Sequence, residues 1–354
     1  MSNQSKHTPL TLGIIGAANI ARQFVTAVQA TRAVKVTAVA SRTAESAQAF
    51  ADSYGIAKRY ASYEALLDDA SIEAVYIPLP NHLHAEWAIK AAQRGKHVLC
   101  EKPLCLGLAQ AQAMFAAAER HGVVLLEAYP YWFQPQTREM LHLLHSGVIG
   151  QVRTMQASFG FTISQPVGNI RLSPEKGGGA LLDAGSYPLS LVRLVMGEAP
   201  VRVHATPVWT EGGPGNGVDI SMMATLEFAN QRSAQISCAM NVANHRRATL
   251  MGTQGTIETE YLNHTGPIVT SQLRVRRGIA NTIPFEEVSA AMGSGFRFAA
   301  EAFADIVRRR DFAAVARAKQ ASLDIAQTLE AIARSARTGK IEKLSIQPSL
   351  QGLG

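Results

Sequence analysis

Apolar and polar positions in the first third of the chain follow two alternating patterns. Apolar, β-branched runs predict strands at LTLGII (10–15), VKVTAVA (34–40), IEAVYIPLP (72–80), KHVLCEK (96–102) and GVVLLEAY (122–129). Stretches with helical spacing predict helices over 19–31, 43–55, 85–95 and 109–122. Apolar strands that alternate with helices indicate a parallel sheet covered on both faces. We therefore expect an α/β domain over residues 1–128.

The pattern changes after a predicted helix near 134–146. Strictly alternating runs follow at GQVRTMQASFGF (150–161), RVHATPVW (202–209), DISMMATLEF (219–228), RSAQISCAM (232–240), RATLMGT (247–253) and GTIETEY (255–261). Alternation predicts an antiparallel sheet with one polar face. Helical stretches near 297–310 and 319–337 come last. We expect residues 129–354 to form an α+β domain with a large, mostly antiparallel open sheet, whose C-terminal helix packs back on the first domain.

Composition and charge exclude several classes of protein. The chain has 354 residues, of which 47% are hydrophobic and 17% charged, as in ordinary globular proteins. The net charge of +7 comes with no long basic run, and HRR (245–247) and VRRRD (307–311) favour solvated faces over a nucleic-acid site. Three cysteines form no disulfide framework. The segment MSNQSKHTPL has no apolar signal core, and no run approaches the roughly 18 apolar residues of a membrane span. We expect a cytoplasmic protein without nucleic-acid or membrane partners.

The first strand–helix turn has the pattern of a dinucleotide-binding site. GIIGAANIA (13–21) reads G-x-A-x-x-A from Gly16, a variant of the Rossmann fingerprint with Ala18 at the second glycine position. Backbone amides at such a helix start can hold pyrophosphate oxygens. Small residues here also serve ordinary strand–helix packing. The predicted cofactor-binding residues of this turn are Gly13, Gly16, Ala18, Asn19 and Ile20.

The end of the second strand discriminates between the two nicotinamide dinucleotides. NAD sites carry an acidic residue about 20 positions beyond the fingerprint, whereas this chain reads ASRT (40–43). Ser41 and Arg42 can hydrogen-bond a 2′-phosphate. The alternative is that Arg42 pairs with Glu45 of the next helix. The pattern favours NADP over NAD as the cofactor.

A longer segment carries a family resemblance. PLPNHLHAEWAIKAAQRGKHVLCEKPL (78–104), followed by EAYPYWFQPQ (127–136), IGQVRTMQASFGF (149–161) and GGGALLDAGSYPLSL (177–191), resembles the Gfo/Idh/MocA oxidoreductases. GGGALLDAGSYP is most similar to the branch of dimeric dihydrodiol dehydrogenases, NADP-dependent xylose dehydrogenases and glucose–fructose oxidoreductase. The resemblance covers most of the chain. It implies a homodimer or homotetramer that associates through the C-terminal sheet.

The resemblance implies an active site around Lys102, beside the nicotinamide and the substrate hydroxyl, with a cis peptide before Pro103. A fixed cation serves alcohol oxidation and carbonyl reduction alike. Tyr187 occupies the position of the family's proton carrier, and Asp183 would bind substrate hydroxyls. The pKa of a free tyrosine is about 10, and Lys102 would lower it. The alternative for Tyr187 is a buried tyrosine whose hydroxyl is satisfied within the protein.

Further residues of these segments have two interpretations each. Pro78, Asn81, His84 and Glu101 are predicted to contact the cofactor. Asn81 is alternatively a helix N-cap, and Glu101 an ion-pair partner of Lys102. His82 and His84 have no obvious further metal ligands, so we expect no metal. The triple glycine 177–179 allows a close-approaching loop or a plain turn.

The chain departs from the related EAFMYRFHPQ-like pattern at Trp132 and Gln134. An aromatic wall would suit the apolar face of a sugar ring, or a planar ring. The sequence thus predicts an NADP(H)-dependent oxidoreductase that acts on a sugar, cyclitol or dihydrodiol. The alternative is a dinucleotide-binding regulator or sensor without turnover, which would have no chemical need for Lys102, Asp183 and Tyr187 together.

Overall fold

A computed structural model describes residues 8–344. The N-terminal segment MSNQSKHTPL lies mostly outside the described residues. By packing, the described chain groups into two compact units. Unit 1 comprises the described residues up to Cys105, together with Ala109–Phe133 and Gly293–Gln320. Unit 2 comprises Leu106–Leu108, Gln134–Met292 and the described residues from Ala321 onward. The domain boundary between residues 128 and 129 stays a prediction, because packing groups do not test independent folding.

Unit 1 alternates strands and helices, as the pattern predicts. Its elements are β1 (Leu10–Ile15), α1 (Asn19–Val28), β2 (Val34–Ala40), α2 (Ala44–Tyr54), β3 (Lys58–Tyr60), α3 (Tyr63–Leu67), β4 (Ala74–Ile77), α4 (His84–Gln93), β5 (His97–Glu101), α5 (Leu108–Arg120) and β6 (Leu125–Ala128). The strands pair in parallel in the order β3-β2-β1-β4-β5-β6. This is the strand order of a Rossmann sheet, and the predicted fold class is confirmed.

Short-range signals set the helix ends of unit 1. The side chain of Thr43 accepts a hydrogen bond from Ser46 N at the start of α2, and Gly55 ends that helix at a φ of 64°. The short β3 and α3 were not predicted, since neither is long enough to show a period. In the core, the Phe24 ring of α1 stacks on Tyr76 of β4 with centroids 3.9 Å apart.

Unit 2 is built on a nine-stranded sheet. Its elements are α6 (Pro135–His145), β7 (Val152–Thr162), α7 (Ser186–Met196), β8 (Arg202–Trp209), α8 (Gly213–Asn216), β9 (Asp219–Glu227), β10 (Ser233–Ala239), β11 (Asn241–Gly252), β12 (Gly255–Thr259), β13 (Leu273–Arg277), β14 (Glu286–Glu287) and β15 (Glu342–Lys343). The sheet order is β14-β13-β12-β11-β7-β10-β9-β8-β15. Only the central pair β7–β10 is parallel among these described strands.

One face of this sheet is covered and the other is open. Helix α7 packs on β7 and β10, and eight of its residues are buried. The opposite face bears alternating exposed residues, Met223 among them at 62% exposure, and a depression of about 600 Å³ that His204, Met223 and Arg247 help to line. Such a face is a candidate surface for self-association, which stays a prediction.

The last helices are α9 (Gly295–Arg309) and α10 (Phe312–Thr338). Helix α9 belongs to unit 1, where the Phe296 ring lies edge-on to Phe24 at 5.8 Å and both Nη atoms of Arg308 donate to the Glu73 carboxylate. Arg308 is thus held in an ion pair, and the prediction that VRRRD is a solvated face is wrong at this residue. Within residues 8–344 no helix is long and apolar enough to cross a bilayer. The same residues contain no cluster of three or more histidine, cysteine or acidic side chains suited to a metal ion.

Candidate active site

Four neighbouring strands of unit 1 end at the predicted cofactor residues. Gly16 follows β1, Ser41 follows β2, Pro78 follows β4, and Lys102 follows β5. These strands are adjacent in the order β2-β1-β4-β5 and run parallel, so their carboxyl ends share one edge of the sheet. Ligands of doubly wound folds bind at this edge. The structure therefore gathers residues that are far apart in the chain at one edge of unit 1.

The first turn is shaped to admit an anion at the start of α1. Gly16 has a φ of 109°, and a Cβ built there would lie 2.8 Å from Leu79 Cδ2, so only glycine fits. Ala18 is the N-cap of α1; it makes no side-chain capping bond, and the first turn carries no acidic residue. The unbonded amides of a helix start are an anion site. Asn19 and Ile20 are the first two residues of that turn.

Gly13 has a packing role within unit 1. It lies inside β1, where a Cβ would come 2.8 Å from Leu66 Cδ2 and 3.3 Å from Ile72 Cγ2. Close packing of α3 on the strand accounts for a glycine at this position without any cofactor. A contact between Gly13 and the dinucleotide stays a prediction.

The end of β2 presents a hydroxyl and a guanidinium. Ser41 is buried, and its backbone nitrogen donates to Tyr60 O at 3.1 Å. Arg42 is exposed, and its charge acts on Tyr63, whose pKa burial raises and Arg42 lowers. No ion pair joins Arg42 to Glu45 in the described part of the chain. The alternative role of Arg42 as a partner of Glu45 is therefore not realised.

The loop after β5 is fixed on both sides of Lys102. Tyr76 Oη donates to Glu101 Oε1 at 2.6 Å, and Leu104 N donates to the buried Glu127 Oε1 at 2.8 Å. The peptide between Lys102 and Pro103 is cis, as the resemblance implies. From Val98 to Cys105 every residue is buried except Lys102. A lysine in this place is a partly exposed cation on a rigid support.

His84 lies inside unit 1 between two of these loops. It is 1% exposed, and its ring nitrogens lie 2.9 Å from Pro103 O and 2.7 Å from Leu79 O. Burial lowers its pKa, and the two backbone contacts partly oppose this. His84 thus contacts the backbone of the β4 and β5 loops. Its predicted contact with the cofactor stays a prediction.

Asn81 opens a 3-10 turn, Asn81–Leu83, that precedes α4. The N-cap of that turn is Pro80, and the N-cap of α4 is Leu83. The alternative interpretation of Asn81 as a helix N-cap is therefore wrong, because the 3-10 turn displaces the helix start. A contact between Asn81 and the cofactor stays a prediction.

Asp183 and Tyr187 of unit 2 lie on two different kinds of helical turn. Asp183 is in a π-helical segment, Leu181–Gly185, and Tyr187 is in the first turn of α7. The two residues therefore do not lie on one continuous α-helix, on which positions four apart would share a face. Pro188 has no N–H to bond the carbonyl one turn earlier, and the chain widens into a π turn before it. Asp183 Oδ2 accepts from Arg171 Nε at 2.5 Å.

A buried carboxylate supports the π turn. Asp219 Oδ2 accepts from Leu181 N at 2.6 Å. Gly179 has a φ of 112°, and a Cβ there would lie 2.2 Å from Asp219 Oδ1. The close contact that the triple glycine allows is thus a contact of Gly179 with the carboxylate of Asp219. Burial raises the pKa of Asp219 to about 7.

Tyr187 is held by residues that the sequence analysis missed. It is 5% exposed, and Asn263 Nδ2 donates to its Oη at 2.9 Å. The Arg246 guanidinium lies 4.3 Å from the Tyr187 ring centroid and 3.9 Å from that of Phe159. Arg246 belongs to HRR, so the prediction of a solvated face is wrong at this residue. No local pattern marks these contacts, because they join elements that are distant in the chain.

The two departures from the family pattern have distinct environments. On unit 1, Trp132 Nε1 donates to Tyr131 Oη at 2.7 Å, and its ring lies 5.0 Å from that of Tyr129. On unit 2, Gln134 is buried, and its Nε2 donates to Asn263 O at 2.7 Å. Trp132 belongs to an aromatic group, and Gln134 anchors the loop that carries Asn263.

Comparison with known proteins extends over both units. Residues 10–129 match the model of an oxidoreductase family with an NAD-binding Rossmann fold, and residues 137–258 match the GFO/IDH/MocA C-terminal domain. A D-xylose 1-dehydrogenase (NADP(+)) of Haloferax volcanii is 36% identical over 95% of this chain and 100% of its own length. A trans-1,2-dihydrobenzene-1,2-diol dehydrogenase of Xenopus tropicalis is 36% identical over 70% of this chain and 74% of its own.

A solved structure has the same fold over nearly the whole chain. A 3-ketoreductase of Actinomadura kijaniata, crystallised with NADP and TDP-benzene, superposes with a TM-score of 0.80 at 30% identity and covers 92% of this chain and 98% of its own. The resemblance that the EKP and DAGSYP segments carry is confirmed, and the chain belongs to the Gfo/Idh/MocA family of oxidoreductases.

Proposed function

We propose that the protein is an NADP(H)-dependent oxidoreductase that acts on a secondary alcohol, lactol or carbonyl carbon of a sugar, cyclitol or dihydrodiol-type substrate. The observation that carries the proposal is the shared sheet edge of unit 1, where an uncapped helix start, Ser41–Arg42 and Lys102 follow adjacent parallel strands. The NADP(+)-dependent xylose dehydrogenase and the ketoreductase that was crystallised with NADP support the choice of cofactor.

The residues of unit 1 fit a phosphorylated dinucleotide. The first turn of α1 would hold the pyrophosphate, since its amides have no side-chain cap and Gly16 leaves room for a close approach. Ser41 and the exposed Arg42 would bind the 2′-phosphate. Pro78, Asn81, Glu101 and Lys102 would lie along the nicotinamide half. NADP(H), when bound, donates or accepts the hydride.

The chain's own residues would manage the charge and the proton. Lys102 would hold the substrate oxygen with a fixed cation, which favours the alkoxide-like charge of either direction. Tyr187 would carry the proton to or from that oxygen. Asp183 remains able to accept hydroxyl hydrogen bonds beside its pairing with Arg171, because a carboxylate has about four lone-pair sites.

The surroundings of Asp183 support a ring-shaped polyol. The Arg171 guanidinium lies 5.8 Å from the ring centroid of Phe161, which is only partly buried. Phe161 and Phe159 have centroids 5.6 Å apart. Acceptors for hydroxyl groups beside an apolar aromatic surface suit a sugar or a dihydrodiol.

The test is a binding titration of the purified protein with NADPH and NADH, followed by nicotinamide absorbance with aldoses, cyclitols, trans-dihydrodiols and diketones. We expect tighter binding of NADPH and turnover with at least one polyol or its carbonyl product. Binding of NADPH without turnover across the panel would favour the regulator or sensor. Absence of binding by both dinucleotides would refute the cofactor assignment.

A further inference from the structure

A chain of polar contacts on unit 2 reaches the phenol of Tyr187 from β11. Arg246 Nη1 donates to Asn263 Oδ1 at 3.0 Å, and Asn263 Nδ2 donates to Tyr187 Oη at 2.9 Å. Because Oδ1 accepts from the guanidinium, the amide must turn its NH₂ group toward the phenol oxygen. An amide donor aimed at this oxygen favours negative charge on it.

We infer that Asn263 is a positioning residue for Tyr187: it holds the phenol oxygen and stabilises the charge that develops there when the proton leaves, and Arg246 orients the Asn263 amide. The inference rests on the proposed role of Tyr187 as the proton carrier. It adds two residues that no local motif of the sequence indicates.

Arg246 is placed to act on the phenol in a second way. Its guanidinium lies against both the Phe159 and the Tyr187 ring, at 3.9 and 4.3 Å from their centroids. Its Nη1 also approaches Tyr261 O at 3.4 Å. A half-buried cation over a phenol ring stabilises a phenolate by direct attraction, and the attraction is stronger than in water because solvent is partly excluded.

The loop that carries Asn263 is anchored from α6 and its N-cap. Gln134 Nε2 donates to Asn263 O at 2.7 Å, and Gln136 Nε2 donates to Glu260 O at 3.1 Å and to Gln272 O at 2.9 Å. Asn263 is therefore held by its backbone as well as by its amide. A rigid donor costs little reorganisation when charge develops.

The other titratable groups around this cluster are neutral near pH 7 or already paired. Burial raises the pKa of Tyr261 above its usual range and that of the Cys238 thiol likewise. Burial and the charge of Arg246 lower the pKa of His264 to about 4. Asp183 is paired with Arg171. The phenol of Tyr187 is therefore the titratable group that the Asn263 amide contacts directly.

The test is the variant Asn263→Asp. The carboxylate keeps the size of the side chain and the bond from Arg246, but it has no N–H for Tyr187 and adds a negative charge. We expect kcat of alcohol oxidation to fall about ten- to hundredfold, with KM for NADP within about twofold. We also expect the rise of kcat with pH to move up by about one pH unit or more. A merely structural role would not produce that shift.

The matched control is Asn244→Asp, which makes the same change at an exposed residue of β11, two positions from Arg246. It should leave both kcat and the pH profile near those of the wild type. If both variants behaved alike, a general charge effect on the sheet would explain the result, and the inference would be wrong.

A second readout needs no turnover. In protein labelled with ¹³Cζ-tyrosine, the resonance of Tyr187 is assigned through Tyr187→Phe and followed during an alkaline titration. We expect the midpoint in Asn263→Asp to lie about one pH unit or more above that of the wild type. This shift in a protein without turnover would uphold the inference and refute the proposed function. Turnover with equal midpoints in the two proteins would overturn the inference and leave the function intact.

Discussion

The proposed cofactor residues of unit 1 and the proposed substrate residues of unit 2 are assembled in opposite ways. On unit 1, Gly16, Ser41, Pro78 and Lys102 each directly follow a strand, and the parallel order β2-β1-β4-β5 brings those strand ends to one edge. On unit 2, Tyr187 meets Asn263, 76 residues away, and Arg246 from the middle of β11. A parallel sheet places its ligand residues at positions that short motifs mark. An open antiparallel sheet assembles a site from contacts among strands and helices that are distant in the chain. Short sequence motifs therefore do not indicate which residues will meet.

Tyr187→Phe should have the largest effect and tests the proposed proton carrier of unit 2. We expect kcat to fall by about 10²–10⁴-fold, because a proton carrier is lost. The Kd for NADPH should stay near the wild-type value, since the predicted phosphate-binding residues belong to unit 1. Steady-state kinetics and fluorescence titration measure the two quantities.

The control for that variant is Tyr261→Phe, which removes another buried hydroxyl, one that donates to Ser158 O at 2.8 Å. This change should cost about 1 kcal/mol of unfolding free energy and retain most of the turnover. Full activity of Tyr187→Phe would remove Tyr187 from the mechanism.

Lys102→Met tests the proposed substrate-binding cation of unit 1. The methionine keeps the stem of the lysine but loses the charge, so kcat should fall by about 10²–10³-fold with a modest change in NADPH affinity. Lys90→Met, on the surface of α4, is the control. Equal kinetics in the two variants would mean that the cation after β5 has no part in the reaction.

Arg42→Met tests whether the end of β2 distinguishes the two dinucleotides. Loss of charge-assisted hydrogen bonds to a 2′-phosphate should raise the Kd for NADPH about 10- to 100-fold and leave that for NADH unchanged. Arg32→Met, also exposed on unit 1, controls for a general loss of charge. A parallel loss of affinity for both dinucleotides would assign Arg42 to a contact that they share.

Asp219→Asn should have the smallest effect on turnover and a distinct effect on stability. Burial raises the pKa of Asp219 to about 7, so between about pH 4 and 7 this carboxyl is protonated in the folded protein and ionised in the unfolded chain. The folded state then binds more protons, and the free energy of unfolding falls as the pH rises through this window. Asparagine should remove that part of the slope.

Urea unfolding across the same pH window measures this effect. The substitution Asp52→Asn, at an exposed residue of α2, is the control and should keep the wild-type slope. If Asp219→Asn kept the wild-type slope as well, Asp219 would be ionised in the folded protein, and its bond from Leu181 N would outweigh its burial.

Much of the fold could be predicted because its signals are local. The helix predicted over 43–55 is α2, Ala44–Tyr54, with Thr43 as its cap and Gly55 at its end. The helix predicted over 19–31 ends three residues early, at Val28, because no terminal glycine marks its end. The tight turn at Gly16 and the position of Lys102 after a buried strand could also be predicted from neighbouring residues.

Other features could not be predicted, because they depend on contacts between residues that are distant in the chain. Arg246 and Arg308 belong to short basic runs that are typical of solvated surfaces, yet one lies over aromatic rings and the other pairs with Glu73. The π turn at Asp183 depends on Asp219, which bonds Leu181 N from a strand far along the chain. Nothing near these residues in sequence indicates their partners.

By itself, the sequence determined the order of strands and helices and the glycine turn before α1. It also determined that Ser41 and Arg42 follow β2 and that a lysine follows β5. Each of these features follows from backbone preferences and side chains within a few residues. The tertiary structure alone decided which strands are neighbours, the burial of His84 between two loops, and the contacts of Arg246 and Asn263 with Tyr187. Those contacts form only after distant segments have packed, since the free energy that holds them comes from burial of the whole sheet and not from any local segment.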